Sequence, residues 1–267
     1  MGAPMVRNLG AAGHEVVLYA RTPAKARDLP ATLAATVTDA VDGADLACSI
    51  VTDSADVRVV VGAMLEAATP PPVIVELSTI APAVARELAG ECETRGLAYC
   101  DCPVSGGPPG AEAGTLAIMC GGTTEALAHA APVLDALGDP AKRFHLGPVG
   151  AGLVAKLVNN ALVGVISAAT AEALGMGQRA GVDPAALREA LLAASGASWQ
   201  LQHLFPRVLA GDHHPGFKAR DLRKDLGHAQ GLADGPLPLV DVAAGLFRAV
   251  PSDDDYGAVA RLFIDLP

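Results

Sequence analysis

The sequence predicts an α/β fold, with a doubly wound parallel sheet in the first half of the chain and an all-α domain in the second half. In residues 1–148, short apolar runs alternate with helical segments of about a dozen residues, which is the pattern of βαβ units on a parallel sheet. From residue 149 to 267 no convincing strand follows. The hydrophobic share of 51% and the aromatic share of 3% reflect small residues, Ala and Val above all, which suit buried parallel strands and close-packed helices.

The elements of the first half are bounded by turn and cap residues. Gly13 and Gly96 each suit the end of a helix, Pro23 suits a first helical turn, and one of Thr52, Asp53 and Ser54 can supply a helix N-cap. The predicted helices are 5–13, 55–68, 81–95 and 123–137. The predicted strands are 14–19, 45–51, 73–77, 97–102 and 116–120, with a short further run at 143–146.

The second half predicts helices alone. A long helical pattern covers residues 152–179, and Gly181 and Pro184 separate it from the next helix. The remaining predicted helices are 184–194, 198–210, 217–233, 237–249 and 254–261. The domain border therefore lies at 148/149.

Composition excludes several classes of partner. A net charge of −10 argues against nucleic acid, which requires a basic surface, and against anionic lipid. No run reaches the roughly 18–20 uninterrupted apolar residues of a membrane span, and no secretory signal is evident. We therefore expect a cytoplasmic protein without nucleic-acid or membrane partners.

The cysteines are odd in number and no pair has C-x-x-C spacing, so neither a metal site nor a redox motif is predicted. They are Cys48, Cys92, Cys100, Cys102 and Cys120. Free thiols in a reducing compartment are the expectation.

Three clusters of residues are candidates for binding or catalysis. The first cluster lies at helix starts and strand ends. Gly2 opens a helix before the strand at 14–19, as in the last part of a dinucleotide fingerprint, although a plain helix start explains it too. Arg21 follows that strand where an acidic residue would bind ribose hydroxyls, and its guanidinium suits a 2′-phosphate. The alternative for Arg21 is a solvated surface side chain. Ser78 and Thr79 end the strand at 73–77.

The second cluster, residues 101–107, follows a strand. Ser105 stands beside Gly106 and Gly107, whose backbone N–H groups would be exposed where the strand stops. A hydroxyl beside exposed amides suits a carboxylate or a phosphate. A tight turn without a ligand is the alternative.

The third cluster lies on the long helix. Lys156, Asn159 and Asn160 are spaced i, i+3 and i+4, so they share one helix face. Lys156 lies in an apolar stretch, where a lysine is disfavoured unless it is paired or functional. It could serve as a general acid, or its ammonium could extend to water beside an apolar stem.

Together these clusters resemble the β-hydroxyacid dehydrogenase family, in the same order and along essentially the whole chain. Residues 2–9 are similar to the end of that family's glycine-rich cofactor motif, and residues 101–107 to its substrate-binding signature. Residues 111–122 resemble the usual continuation. Residues 150–160, with their pattern G-x-G-x-x-x-K-x-x-N-N, resemble the catalytic helix, and residues 217–226 resemble a late motif that ends in Lys-Asp-Leu.

The resemblance implies a Rossmann-type domain at 1–148 and an all-α substrate and dimerisation domain at 149–267. It implies reversible, NAD(P)-dependent oxidation of a small 3-hydroxy acid to its semialdehyde or keto acid, with Lys156 as general acid and base. The implied substrate-binding residues are Ser105, Gly106, Gly107, Asn159 and Asn160. The implied cofactor-binding residues are Gly2, Met5, Arg21, Thr22, Ser78, Thr79 and Lys224, with a structural role for Asp225.

Individual residues narrow the expected cofactor and the expected branch of the family. Arg21 after Ala20 favours NADP over NAD and therefore aldehyde reduction, and Asn159 argues against the phosphogluconate branch. By analogy with the family we expect a homo-oligomer, a dimer or tetramer. Two alternatives stay open: an imine-reductase-like enzyme of the same fold, against which Lys156 argues, and a non-catalytic cofactor-binding module.

One departure from the family pattern concerns the amino end. The first strand and the first two glycines of the cofactor motif are missing, and in this fold that strand lies centrally in the sheet. We therefore expect either that Met1 is not the natural start of the protein or that the sequence is truncated.

Overall fold

The computed structural model describes residues 1–212, 214–232 and 234–266. The chain forms two compact units, residues 1–156 and 157–267. Their border falls inside one long helix, Ala151–Arg179, and the predicted domain border at 148/149 stays a prediction.

The first unit alternates strands and helices, as the sequence predicts. Its helices are α1 (Gly2–Ala11), α2 (Val37–Val41), α3 (Ser54–Leu65), α4 (Pro82–Thr94), α5 (Gly107–Ala113) and α6 (Thr124–Leu137). Its strands are β1 (Val17–Leu18), β2 (Thr32–Leu33), β3 (Ala47–Ser49), β4 (Val73–Glu76), β5 (Ala98–Asp101), β6 (Val104–Ser105), β7 (Leu116–Gly121) and β8 (Gly138–Gly147).

The strands form two sheets. A two-stranded parallel sheet pairs β1 with β2, and a six-stranded sheet has the order β3-β4-β5-β7-β6, with β8 also pairing with β7. Within the described ranges, β3 pairs with β4 alone, and no strand pairing joins the two-stranded sheet to β3.

The larger sheet confirms the predicted Rossmann-type fold and is mixed, since it is parallel from β3 through β5 and contains a reversed strand, β7. β7 runs antiparallel to both β5 and β6, whereas β8 returns parallel to β7 after the crossover through α6. The physical reason is the short connection from β5 to β7, which passes through β6 and α5 and reverses the chain.

The predicted elements of this unit are confirmed in type, with shifted ends. The run at 14–19 forms a strand only at Val17–Leu18, and Pro23 begins a single 3₁₀ turn, Pro23–Lys25. β8 is longer than the predicted run at 143–146. β2, β6, α2 and α5 were not predicted because elements of two to seven residues are too short to show a period.

Apolar residues pack on both faces of the larger sheet. One core joins alternate residues of β4, β5 and β7 with Met5 of α1 and residues of α6. The other joins the intervening residues of β4 and β5 with α3 and α4, and includes Leu153. Burial on both faces explains why these strands are nearly continuous in apolar residues.

The second unit is helical. Its helices are α7 (Ala151–Arg179, which begins in the first unit), α8 (Pro184–Leu192), α9 (Phe205–Leu209), α10 (Ala219–Gln230) and α11 (Pro238–Arg248), with a π-helical turn at Gln200–Leu204 and a 3₁₀ helix at Tyr256–Leu262. The predicted helix at 198–210 is therefore divided, since Pro206 supplies no N–H to an α-helical ladder. The predicted helix at 254–261 is 3₁₀ in form.

Helix α7 is long and apolar enough to cross a membrane by length and composition alone, with 39% of its most apolar window buried. Its fully buried residues include Leu153, Leu157, Ala171 and Leu174, which is the pattern of a core helix. The predicted cytoplasmic location stays a prediction.

Candidate active site

A buried carboxylate joins the second and third sequence clusters within the first unit. Asp101 ends β5 with no exposed surface, and its Oδ1 and Oδ2 accept the backbone N–H groups of Gly150 (2.7 Å) and Leu153 (2.8 Å) at the start of α7. Burial raises the pKa of Asp101, while these two N–H groups and the charge of Arg86 oppose the rise. The helix that carries Lys156 is thereby fixed to the end of β5.

Backbone packing at Gly152 brings this helix close to the sheet. A Cβ at Gly152 would collide with the carbonyl oxygen of Met119 on β7 and lie 2.8 Å from the carbonyl oxygen of Asp101. Only glycine allows the first turn of α7 to lie directly on two strand ends. The second glycine of the G-x-G-x-x-x-K pattern is thus explained by a close approach of backbone to backbone.

The predicted substrate loop follows Asp101 directly. Ser105 is half-buried on β6, and Gly106 is exposed with φ 135°, where a Cβ would also lie 3.1 Å from Leu116 Cδ2. No side chain caps α5, which begins at Gly107. Since the chain passes from Asp101 to Ser105 in four residues, one carboxylate fixes the base of this loop and the start of the Lys156 helix.

Lys156 is half-buried, one turn into α7 beyond the residues that Asp101 caps. Its neighbours Leu153 and Leu157 have no exposed surface. The lysine therefore extends from a helix face whose flanks are packed, which restricts where its ammonium can lie.

The asparagines belong to a hydrogen-bonded group in the second unit. Asn160 is 2% exposed; its Nδ2 donates to Asp225 Oδ2 at 2.6 Å, and its Oδ1 accepts from Asn159 Nδ2 at 3.0 Å. Lys224 Nζ lies 3.3 Å from Asp225 Oδ1. Asp225 thus connects Asn160 of α7 with Lys224 of α10, a role for which sequence offered no signal beyond the late motif.

The two predicted cofactor residues of α1, Gly2 and Met5, differ from each other in their surroundings. Gly2 begins the helix, and a Cβ there would be in ordinary contact with Ile50 Cγ2 at 3.5 Å, so this helix end lies beside the carboxyl end of β3. No side chain caps α1 and its first turn has no acidic residue. Met5 is 3% exposed and packs in the core, and its assignment to the cofactor stays a prediction.

Arg21 and Thr22 lie just after β1, as predicted. The Arg21 side chain is 79% exposed, with Nη1 3.5 Å from Asp56 Oδ1. Thr22 precedes the 3₁₀ turn without capping it through its side chain. Both residues are open to solvent at the carboxyl end of a parallel strand.

Ser78 has a structural bond that the sequence did not reveal. Its Oγ accepts the Val51 N–H at 2.7 Å, and its own N–H donates to Glu76 Oε1 at 2.7 Å, so the ends of β3 and β4 are joined. Ser78 is buried, whereas Thr79 is half-buried. Burial raises the pKa of Glu76 to about 7, against the lowering effect of its hydrogen bonds with Ser78.

The comparisons with known proteins define the class. A family described as the NAD binding domain of 6-phosphogluconate dehydrogenase matches residues 1–147, and one described as the NAD-binding domain of NADP-dependent 3-hydroxyisobutyrate dehydrogenase matches residues 150–263. These matches, with the strand-end geometry above, define an NAD(P)-binding oxidoreductase.

Individual relatives align with this chain over nearly its full length. The chain is 37% identical over 283 aligned positions to an NAD-dependent L-serine dehydrogenase of Pseudomonas aeruginosa, covering 98% of this chain and 94% of the relative. The solved 3-hydroxyisobutyrate dehydrogenase of Mycobacterium tuberculosis, in a structure with L-serine, is 31% identical with a TM-score of 0.89, covering 99% and 96% of the two chains. The chain belongs to the β-hydroxyacid dehydrogenase family.

The imine-reductase alternative has weaker support. A solved imine reductase of Streptomyces aurantiacus is 20% identical with a TM-score of 0.63, covering 99% of this chain and 96% of that one. At that identity the likeness concerns the fold.

The residues present fit a dinucleotide. The uncapped start of α1 lies beside the end of β3, and Arg21 and Thr79 follow the ends of β1 and β4. Dinucleotides bind at the carboxyl ends of such strands, with pyrophosphate at a helix N-terminus. These groups supply N–H donors, a hydroxyl and a cation for the phosphates and ribose.

Proposed function

We propose that this chain interconverts a small 3-hydroxy acid and its semialdehyde or keto acid, with Lys156 as the general acid and base. The observation that carries the proposal is the double hydrogen bond of Asp101 to the start of α7, since it ties the Lys156 helix to the base of the Ser105 loop. L-serine and 3-hydroxyisobutyrate, named for two relatives, share a carboxylate and a hydroxyl on the third carbon. We take that pair of groups as the substrate class.

Each residue of the proposed site has one task. Ser105 and the N–H groups of Gly106 and Gly107 bind the substrate carboxylate and so fix the position of the third carbon. During reduction the Lys156 ammonium donates a proton to the carbonyl oxygen, and during oxidation the neutral amine accepts the hydroxyl proton. The bound nicotinamide supplies or accepts the hydride.

Asn160 acts as a positioning residue in this proposal. Its amide is held by Asp225 and Asn159, so it presents a fixed orientation one helical turn beyond Lys156. Asn159 then orients a substrate oxygen, and Lys224, beside Asp225, contributes a cation for an anionic ligand. The stabilisation of developing negative charge by positioned donors is the main physical gain of such a site.

NADPH is the proposed preferred cofactor. Arg21 follows the carboxyl end of β1 and is exposed, which suits a contact with a 2′-phosphate on the adenosine ribose, while Ala20 offers no carboxylate to a ribose hydroxyl. Because the reduced phosphorylated cofactor supports reductions, we propose aldehyde reduction as the preferred direction.

A homo-oligomer is proposed from an exposed apolar stripe on α7. Val158, Leu162 and Met176 are 51%, 57% and 65% exposed, respectively. Large apolar side chains that recur on one helix suit a partner surface. The oligomer and the cytoplasmic location are tested separately from the chemistry.

The test measures the absorbance change of NADPH and NADH with 3-hydroxy acids, semialdehydes and cyclic imines. Lys156→Ala is expected to lower kcat by about 10²–10⁴-fold for the hydroxy acid pair, while NADPH binding measured by fluorescence is retained. Lys142→Ala is the matched control, since Lys142 is an exposed lysine of the same unit paired with Asp139. Undiminished activity in Lys156→Ala would overturn the mechanism, and turnover of imines alone would replace the substrate class.

A further inference from the structure

Two cysteines lie directly opposite each other on antiparallel strands. Asp101 of β5 pairs with Gly121 of β7, and Val104 of β6 pairs with Ile118. The same register continues between these pairs, because the Met119 N–H donates to the Pro103 carbonyl at 3.1 Å. Cys102 is therefore the cross-strand partner of Cys120.

This pair has the geometry of a close cross-strand position. The Cys102 N–H donates to the Glu76 carbonyl of β4 at 2.7 Å, so it does not bond to the strand that carries Cys120. In such non-hydrogen-bonded pairs the Cα atoms are about 4.5 Å apart, within the range of roughly 4.4–6.8 Å that disulfides span. Both side chains point into the same apolar core.

The surroundings distinguish the two thiols. Cys120 lines a cavity of about 250 Å³ together with Arg143 and His145, whereas Cys102 does not line it. A hydrogen bond from the Cys102 thiol lowers the pKa of Cys120, burial opposes this, and the charge of Arg143 lowers the pKa further. Cys120 is therefore the more nucleophilic sulfur of the pair.

We propose that Cys102 and Cys120 form a reversible dithiol–disulfide site that a small hydroperoxide oxidises through the cavity beside Cys120. The Cys120 thiolate attacks one peroxide oxygen, the O–O bond breaks, and sulfenic acid forms together with an alkoxide, or with hydroxide when the oxidant is hydrogen peroxide. The Cys102 sulfur then attacks the sulfenic sulfur, the S–O bond breaks, and a disulfide and water form. Two thiols are oxidised and one peroxide is reduced.

Other cysteines are poorer candidates on the same grounds. Cys100 lies against Gly122, where a Cβ would be 2.8 Å from its Sγ, so its cross-strand neighbour has no thiol. Cys92 is buried in the other core, and burial raises its pKa to about 11. Cys92 therefore serves as the matched control for a buried thiol of the same unit.

The experiment treats the full chain with hydrogen peroxide, blocks remaining thiols with N-ethylmaleimide in denaturant, and maps peptides by mass spectrometry without reduction. Cleavage after Glu112 separates Cys102 from Cys120. After peroxide treatment, a linked peptide pair is expected in the chain without substitutions and in Cys100→Ser, and it is expected to disappear on reduction with dithiothreitol. It is expected to be absent from Cys102→Ser and Cys120→Ser.

The order of the two steps is tested with dimedone, which traps sulfenic acid. In Cys102→Ser, dimedone is expected on Cys120, at a rate at least about tenfold above its addition at Cys92. Alanine variants replace the serine variants if a serine prevents folding, as judged by circular dichroism. Oxidation of Cys120 no faster than of Cys92, or a disulfide that survives in Cys102→Ser, would overturn the proposal.

Discussion

Replacing Asp101 by asparagine tests whether this carboxylate positions the Lys156 helix. The asparagine keeps one carbonyl oxygen, so it can accept the N–H of either Gly150 or Leu153 but not both. The other N–H then loses its acceptor in a buried place, which costs about 1–3 kcal/mol, and the favourable charge at the helix N-terminus is lost as well. Because burial already raises the pKa of Asp101, its ionised form carries a desolvation cost, and we expect a net destabilisation of about 2–3 kcal/mol.

The effect on turnover separates positioning from stability. A shift of about 1 Å in a catalytic group can lower the rate about 10²-fold, so kcat of Asp101→Asn is expected to fall by about 10–10²-fold while the NADPH dissociation constant changes by less than about twofold. Asp183→Asn is the control, since Asp183 caps α8 through the Ala186 N–H at 2.8 Å. Urea unfolding and steady-state kinetics are measured for both variants. A wild-type kcat in folded Asp101→Asn would refute the reasoning.

Three further predictions concern pH, cofactor and assembly. The pKa of Glu76 is raised from 4.5 to about 7, so the folded state binds this proton more tightly than the unfolded state. The free energy of unfolding is therefore expected to fall by about 3 kcal/mol as the pH rises from 4.5 to 7. Urea unfolding of Glu76→Gln should lack this pH-dependent loss of stability. Arg21→Ala should raise the KM for NADPH at least about tenfold and change that for NADH less than about twofold, and equal changes would contradict the proposed phosphate contact. Leu162→Glu should shift the oligomer towards monomer in light scattering with size exclusion, and an unchanged mass would exclude α7 from the interface.

Local sequence patterns predicted most of the helices and strands, whereas features that depend on long-range contacts were missed. Apolar runs bounded by turn residues indicated the strands at 73–77 and 97–102, because both faces of these strands are buried. The direction of β7 was missed because strand direction depends on the length and path of the connection rather than on the strand's own residues. The division of the helix at 198–210 had a local signal in Pro206, which lies inside an otherwise helical pattern.

The predicted site residues rest on residue type, spacing and the family resemblance, whereas the bonds that hold them are visible only in the fold. Lys156 was indicated by its apolar neighbours, by its spacing from Asn159 and Asn160 and by the resemblance of residues 150–160 to the catalytic helix of the family. The bonds of Asp101 to residues 49 and 52 positions away, and of Asn160 to Asp225, leave no periodic or compositional trace. Likewise, the opposition of Cys102 and Cys120 follows from strand register, which the absence of C-x-x-C spacing could not reveal.

Three buried polar residues form a row across neighbouring strands at one end of the larger sheet. Ser49, Glu76 and Asp101 are cross-strand neighbours on β3, β4 and β5, and all three are buried. Burial raises the pKa of both carboxyls, since it disfavours their charged forms. Asp101 accepts two N–H groups at a helix start, and Glu76 accepts the Ser78 N–H. The N–H groups of Gly150 and Leu153 and the charge of Arg86 favour the ionised form of Asp101 against the effect of burial, and the same two N–H groups fix the start of the Lys156 helix.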